Sequence, residues 1–142
     1  MSKIIQEKKA VLKFVCNFKN VVKKEDWVSR YDIDTDSFSV TTKRLPKDAR
    51  IKYFGDEFAF YMTKDSKVKG IFIEYFKKNF VKHNKDIEDI KKLLVTIEAK
   101  REESGGLLEV KNNQLKQSMV SKLEESMEYS LAENIELDPV TS

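Results

Sequence analysis

Hydrophobic positions recur with two different periods along this 142-residue chain. In residues 3–25, Ile4, Val11, Val15, Phe18 and Val22 fall on one face, Phe14 and Val21 flank it, and lysines lie opposite. A spacing near 3.6 predicts an amphipathic helix that packs on a larger body. From Trp27 the period becomes two. Trp27, Ser29, Tyr31 and Ile33 alternate with Val28 and Arg30, and Phe38, Val40 and Thr42 alternate with Ser37, Ser39 and Thr41. Residues 51–54, 57–63 and 68–75 continue in extended pattern, separated by LPKDA, by Gly55-Asp56 and by KDSK. Pro46 fixes its own φ and restrains Leu45, and a Gly-X pair suits a two-residue hairpin turn. These segments predict an antiparallel meander of four to five strands.

The period returns to 3.6 further on. Phe72, Phe76 and Phe80 stand four apart, which predicts a strand turning into a short helix near Tyr75. Residues 86–104 carry Ile87, Ile90, Leu94 and Ile97 as a stripe, with acids first and Lys100 and Arg101 last, matching a helix dipole. Gly105-Gly106 marks a break or hinge. A second helix is expected from about 107 to 133, where Leu115, Met119, Leu123, Met127 and Leu131 recur every four residues. The whole reads as an α+β chain: an N-terminal amphipathic helix packed on an antiparallel β-meander, followed by two C-terminal helices.

Charge divides the chain where the pattern does. Residues 1–85 carry 20 Lys/Arg against 11 Asp/Glu, and residues 86–142 carry 7 against 13. A basic α+β domain (1–85) is thus followed by an acidic helical extension (86–142) hinged at 105–106. No apolar run is long enough for a membrane span, and the N-terminus has no signal-peptide core, so no membrane partner is expected. The single cysteine, Cys16, sits among apolar residues and reads as a buried structural thiol in a reduced, cytoplasmic protein.

Candidate chemistry is sparse. Asp32, Asp34 and Asp36 alternate in YDIDTDSFSV, and D-x-D-x-D opens calcium-binding loops. Such a loop needs Gly at its sixth place and Glu at its twelfth, where this chain has Ser37 and Lys43. The aspartates read instead as turn residues whose carboxylates bond the local backbone. One His (His83) and one Cys do not make a zinc site, and no glycine spacing forms a phosphate loop. No metal, cofactor or small-molecule substrate is implied, and no catalytic residue stands out, so the protein is expected not to be an enzyme.

Tyr31, Asp32, Asp36, Phe38 and Val40, then a proline-containing link, then Asp65, Val68, Gly70, Ile71 and Ile73 form a recognisable series. It resembles the pattern of a small uncharacterised bacterial and archaeal β-meander domain family: Tyr-Asp, Asp-x-Leu-Tyr-Ile, a link, Asp-x-(Asp/Gly) and Val-x-Gly-Ile-Glu-Ile. The resemblance covers about residues 31–75. Ser37-Phe38-Ser39 departs from the apolar-aromatic start, and Phe72 stands where the family often has Glu. The resemblance implies a fold. Through members encoded beside small ribonuclease-like toxins, it also implies an antitoxin-like role.

Two functions follow as expectations. The first is a non-catalytic interaction or regulatory protein that binds a protein partner, or itself as a homodimer, through Leu115, Met119, Leu123, Met127 and Leu131. The second is a nucleic-acid binder. It would use Lys43, Arg44, Lys47, Arg50, Lys52, Lys69, Lys77, Lys78 and Lys82, with Phe72, Tyr75, Phe76 and Phe80 interleaved and the acidic tail as regulator. Lysine far outnumbers arginine, which suits phosphate contact better than base readout.

Overall fold

The computed structural model describes residues 3–53, 58–76, 78, 107–111 and 113–136. The first helical stretch is two helices, α1 (Lys3–Cys16) and α2 (Phe18–Lys24), rather than one continuous helix. The break is Asn17. Its side-chain Nδ2 donates to the Lys13 carbonyl at 3.0 Å, and its backbone N–H bonds Phe14 O at 3.0 Å, one residue short of the α-helical partner. A short polar side chain competing for helix carbonyls bends the helix there. The apolar stripe survives the bend: Val11, Phe14, Val15, Phe18 and Val22 are all buried. Cys16, one position past Val15, turns outward and is exposed, which corrects its reading as a buried thiol.

Five antiparallel strands follow: β1 (Val28–Asp32), β2 (Ser37–Thr41), β3 (Arg50–Tyr53), β4 (Ala59–Met62) and β5 (Val68–Ile73). A sixth, β6 (Leu107–Glu109), completes the sheet in the order β3-β4-β5-β2-β1-β6. The sheet departs from chain order at one place. β2 pairs with β5, so residues 42–49 cross the ends of two strands before β3 begins at the far edge. Strands β2 to β5 therefore have a Greek-key order.

Alternation decides which face each side chain takes. Tyr31, Phe38, Val40, Phe60, Met62, Ile71 and Ile73 share the face covered by the helices, together with Phe58. Phe76 closes that layer, stacked on Phe38 with centroids 4.7 Å apart. Phe72 lies in the strand, on the opposite face against Tyr61, so it does not share a helical row with Phe76. The expected turn from strand to helix near Tyr75 is present, Phe76 and Lys78 being helical, and Phe80 lies outside the described residues. The strand ends at Ile73, and Tyr75 has a left-handed φ of 51°.

Gly70 sits opposite Thr41 and Tyr61, next to an irregularity in β4 at Tyr61/Met62. A Cβ there would lie 2.6 Å from Thr41 Cγ2 and 3.0 Å from Tyr61 Cδ2, so neighbouring side chains already occupy the space. Glycine at a close approach in a strand is required for that reason.

The C-terminal segment joins the same body. Residues 107–109, expected as the start of a helix, instead pair with β1, and Val110 N–H bonds Ser29 O at 2.8 Å. The edge of β1 offers a ladder that a short apolar segment satisfies before the helix starts. That helix, α3 (Asn113–Glu136), packs on α1 and α2. Met119, Leu123 and Met127 are fully buried in the common core, and Leu115 packs against it. The expected helix over 86–104, the turn at Gly55-Asp56 and the hinge at 105–106 lie outside the described residues. Within them, β6 and α3 share the sheet and core of residues 3–76 rather than forming a separate acidic unit. No helix among the described residues is long and apolar enough to cross a membrane.

Candidate functional site

The aspartate hairpin is structural. Asp32 Oδ1 accepts the Asp34 N–H at 3.0 Å, closing a turn after β1. Asp36 has φ 51°, a conformation that Asp tolerates better than most residues. Its Oδ1 accepts the Tyr31 hydroxyl at 2.6 Å, its Oδ2 accepts the Lys78 N–H at 3.2 Å, and its carbonyl accepts the Phe76 N–H at 2.8 Å. The carboxylates of Asp32 and Asp36 thus bind the chain's own donors. Among the described residues, no three His, Cys, Asp or Glu side chains gather as a metal-binding group. His83 lies outside them.

The stripe expected to meet a partner is internal. Met119, Leu123 and Met127 are 0% exposed, so they face their own helices and sheet. Leu115 is half-buried, and the side chain of Leu131 lies outside the described ones. Between α2 and the start of α3 runs a polar groove of about 450 Å³. Two of its cations are engaged in the joint: Lys19 pairs with Glu124 at 3.5 Å, and Lys116 Nζ donates to the Trp27 carbonyl. This groove reads as helix-to-helix attachment.

The basic residues divide into groups. Lys43, Arg44 and Lys47 lie exposed on the crossing segment, with Arg50 exposed at the start of β3. The segment passes the β4–β5 turn, where the Lys64 N–H donates to Asp48 Oδ2 at 3.0 Å. That bond brings exposed Lys64 and Lys67, from a stretch later in the chain, to the same end of the sheet. The turn is tightly built. Thr63 N–H bonds Lys67 O at 3.0 Å, the Thr63 hydroxyl donates to Asp65, and Ser66 has a left-handed φ of 62°. Arg50 Nη1 folds back on the carbonyls of Lys47 (3.2 Å) and Ala49 (3.0 Å), bracing the segment.

Three carboxylates temper this end. Lys43 bonds Asp26 at 3.0 Å, and that hydrogen bond and charge hold the Asp26 carboxyl below its ordinary pKa, with Lys116 adding to the effect. The Thr63 hydroxyl does the same for Asp65, which also pairs with Lys67 at 3.6 Å. Asp48 is committed to the turn. The cations at this end still outnumber these three carboxylates.

The remaining basic candidates are placed elsewhere. Lys52 lies 3.9 Å from the buried carboxylate of Glu7, on the helix side of the sheet. Lys78 is exposed, but its N–H is tied to Asp36, at the tip of the β1–β2 hairpin. Lys77 and Lys82 lie outside the described side chains. The described interleaved aromatics are not at the basic end either: Phe76 is core, Phe72 is half-buried beside Tyr61, and Tyr75 is exposed past the far end of β5, while Phe80 is not described. Lys64 and Lys67 complete the cluster, and only the crossing topology places them there.

A second concavity adjoins this end. A cleft of about 490 Å³ lies between the α1–α2 elbow and the β4–β5 turn, with Phe14 and Trp27 at its base and Lys13, Lys67 and Lys69 around it. No protein-family model, no curated protein and no solved structure matches this chain.

Proposed function

We propose that the chain is a non-catalytic binding protein that holds nucleic-acid phosphates on its basic end. The observation that carries the reading is the Lys64–Asp48 bond, because it fastens two basic stretches of the chain side by side. Lysines scattered over a surface merely solvate it. Cations from two segments, converging on one end and outnumbering their carboxylate partners, create a local positive field that attracts a polyanion. Lysine-rich contact of this sort binds phosphates without reading sequence. The proposal sets the protein in the cytoplasm, where an exposed, unpaired Cys16 stays reduced.

The test is binding of a labelled single-stranded oligonucleotide near 50 mM salt, followed by polarisation. Lys47→Glu with Lys64→Glu should weaken it at least about tenfold, since each reversal replaces an attraction by a repulsion. Unchanged binding would place the contact elsewhere.

A protein partner, including the antitoxin-like and homodimeric readings, has a different support. With the α3 stripe internal, a surface open to a partner is the β3 edge, which has no outer neighbouring strand among the described residues. All four residues of β3 are exposed, Ile51 and Tyr53 among them. An incoming strand could extend the sheet there. Arg50 and Lys52 favour an acidic strand over a second copy, because antiparallel self-pairing centred on Ile51 sets Arg50 against Lys52.

A further inference from the structure

The geometry points to the cleft between the α1–α2 elbow and the β4–β5 turn as a seat for one unstacked nucleotide of a single strand. The inference rests on the proposed phosphate-binding end and assigns it a second, base-accepting element.

The cleft exists because the helix breaks. Asn17 breaks the helix between α1 and α2, and the cleft beside it is lined by Phe14 and Trp27, buried at 8% and 1% exposure with their rings stacked at 5.5 Å between centroids. Its walls are unusual for this protein. Ala10, Val21 and Val68 are hydrophobics packed against the core yet only half-buried, and all three line this one concavity. At about 490 Å³ it falls in the range of ligand pockets. An apolar floor under a cationic rim fits a flat, apolar ring that carries an anion.

The rim selects the sign of that charge. Lys13 comes from the helix side, and Lys67 and Lys69 from the sheet side. Glu25 is the one acid among the lining residues, and its carboxylate accepts the Trp27 indole N–H at 3.3 Å. Lys67 belongs to the cleft and to the basic end at once. A strand lying along Lys43, Lys47 and Lys64 therefore reaches the cleft without leaving the positive surface. A base paired and stacked within a duplex is not free to enter, so the arrangement favours single strands.

Trp27 is the single tryptophan of the chain and, 1% exposed and stacked on Phe14, it reports on the packing beneath the cleft. The experiment titrates the full chain with a single-stranded oligonucleotide, with the matching duplex and with polyglutamate, recording Trp27 emission and affinity together. The expected result is a change in emission with the single strand only, and single-strand affinity at least about fivefold above duplex, a modest figure for burying one flat ring against the apolar wall of Ala10, Val21 and Val68. Val21→Glu, on a half-buried helix position, and Lys13→Glu, fully on the surface, should each abolish that preference while duplex binding persists. Equal affinity for single strand and duplex with unchanged emission would overturn the cleft and leave the phosphate-binding end standing. Failure of both nucleic acids to bind would overturn both. Polyglutamate binding as tight as the oligonucleotide would assign the surface to acidic polypeptides instead.

Discussion

The backbone N–H of Lys64 and the Oδ2 of Asp48 lie 3.0 Å apart, and this bond fastens the crossing segment to the β4–β5 turn. Asp48→Ala removes the acceptor. Because the bond is exposed, the expected loss is about 0.5–1 kcal/mol in urea unfolding. The Lys64 amide should also exchange faster with solvent while amides of β2 and β5 keep their protection. Unchanged exchange at Lys64 would deny the tie.

Asp36 is expected to matter for folding and not for metal. Tyr31→Phe should cost about 1–2 kcal/mol by stripping the hydroxyl from a carboxylate acceptor. Asp36→Asn, which keeps acceptor capacity and tolerates the left-handed backbone, should cost less than Asp36→Val. Calcium should leave the thermal midpoint of the wild type unmoved.

Gly70→Ala should destabilise by about 1–3 kcal/mol through overpacking. The clash is with one methyl, Thr41 Cγ2, at 2.6 Å. Placing Gly70→Ala in a Thr41→Ser background should therefore recover much of the loss. Equal loss in both backgrounds would mean that the Tyr61 ring, 3.0 Å from the added Cβ, and not the methyl, sets the requirement.

The α3 stripe is expected to behave as core. Leu123→Ala should cost about 2–5 kcal/mol, as truncation of a buried leucine does. Deleting residues 107–142 should leave residues 1–106 without cooperative unfolding, since Met119, Leu123 and Met127 fill the space over the sheet. A truncated chain that unfolds as sharply as the full one would restore the separable arm.

Alkaline stability should follow two tyrosines. The bond from the Tyr53 hydroxyl to Glu74, and the burial of Tyr61, raise both phenol pKa values. Below the unfolded value of about 10, both states hold the proton and nothing changes. Above it the unfolded chain ionises first, so stability falls as pH rises, until the folded phenols ionise too. In the background of Tyr53→Phe, Tyr61→Phe should flatten the fall measured by urea unfolding from pH 9 to 11.

Local pattern revealed what depends on local physics. The stripe through Val11, Phe14, Val15, Phe18 and Val22 marked the buried side of the helices, and the alternation around Phe38 and Val40 and the extended pattern of 68–75 marked strands that the structure has. Asn17 escaped notice because one side-chain bond to Lys13 O breaks a helix whose apolar period continues across it. β6 escaped because three residues carry too little period to outweigh a following helix, and only the open edge of β1 makes them a strand. The four-residue repeat of Leu115, Met119, Leu123 and Met127 was plain, but a stripe looks the same whether its own core or a partner covers it. The basic end was half legible: Lys43, Arg44, Lys47 and Arg50 are neighbours in sequence, whereas Lys64 and Lys67 join them only through the crossing of residues 42–49. The cleft had no sequence signature, because it is made by a bend meeting a turn.

The most direct test of the central claim is the salt dependence of oligonucleotide binding. For a single strand, each neutralised phosphate contributes about −0.7 to the slope of log K against log salt. Contacts from Lys43, Arg44, Lys47, Lys64 and Lys67 predict a slope steeper than about −2, which Lys47→Glu with Lys64→Glu should make shallower by about one or more. A flat salt profile, or no binding near 50 mM salt, would contradict the account.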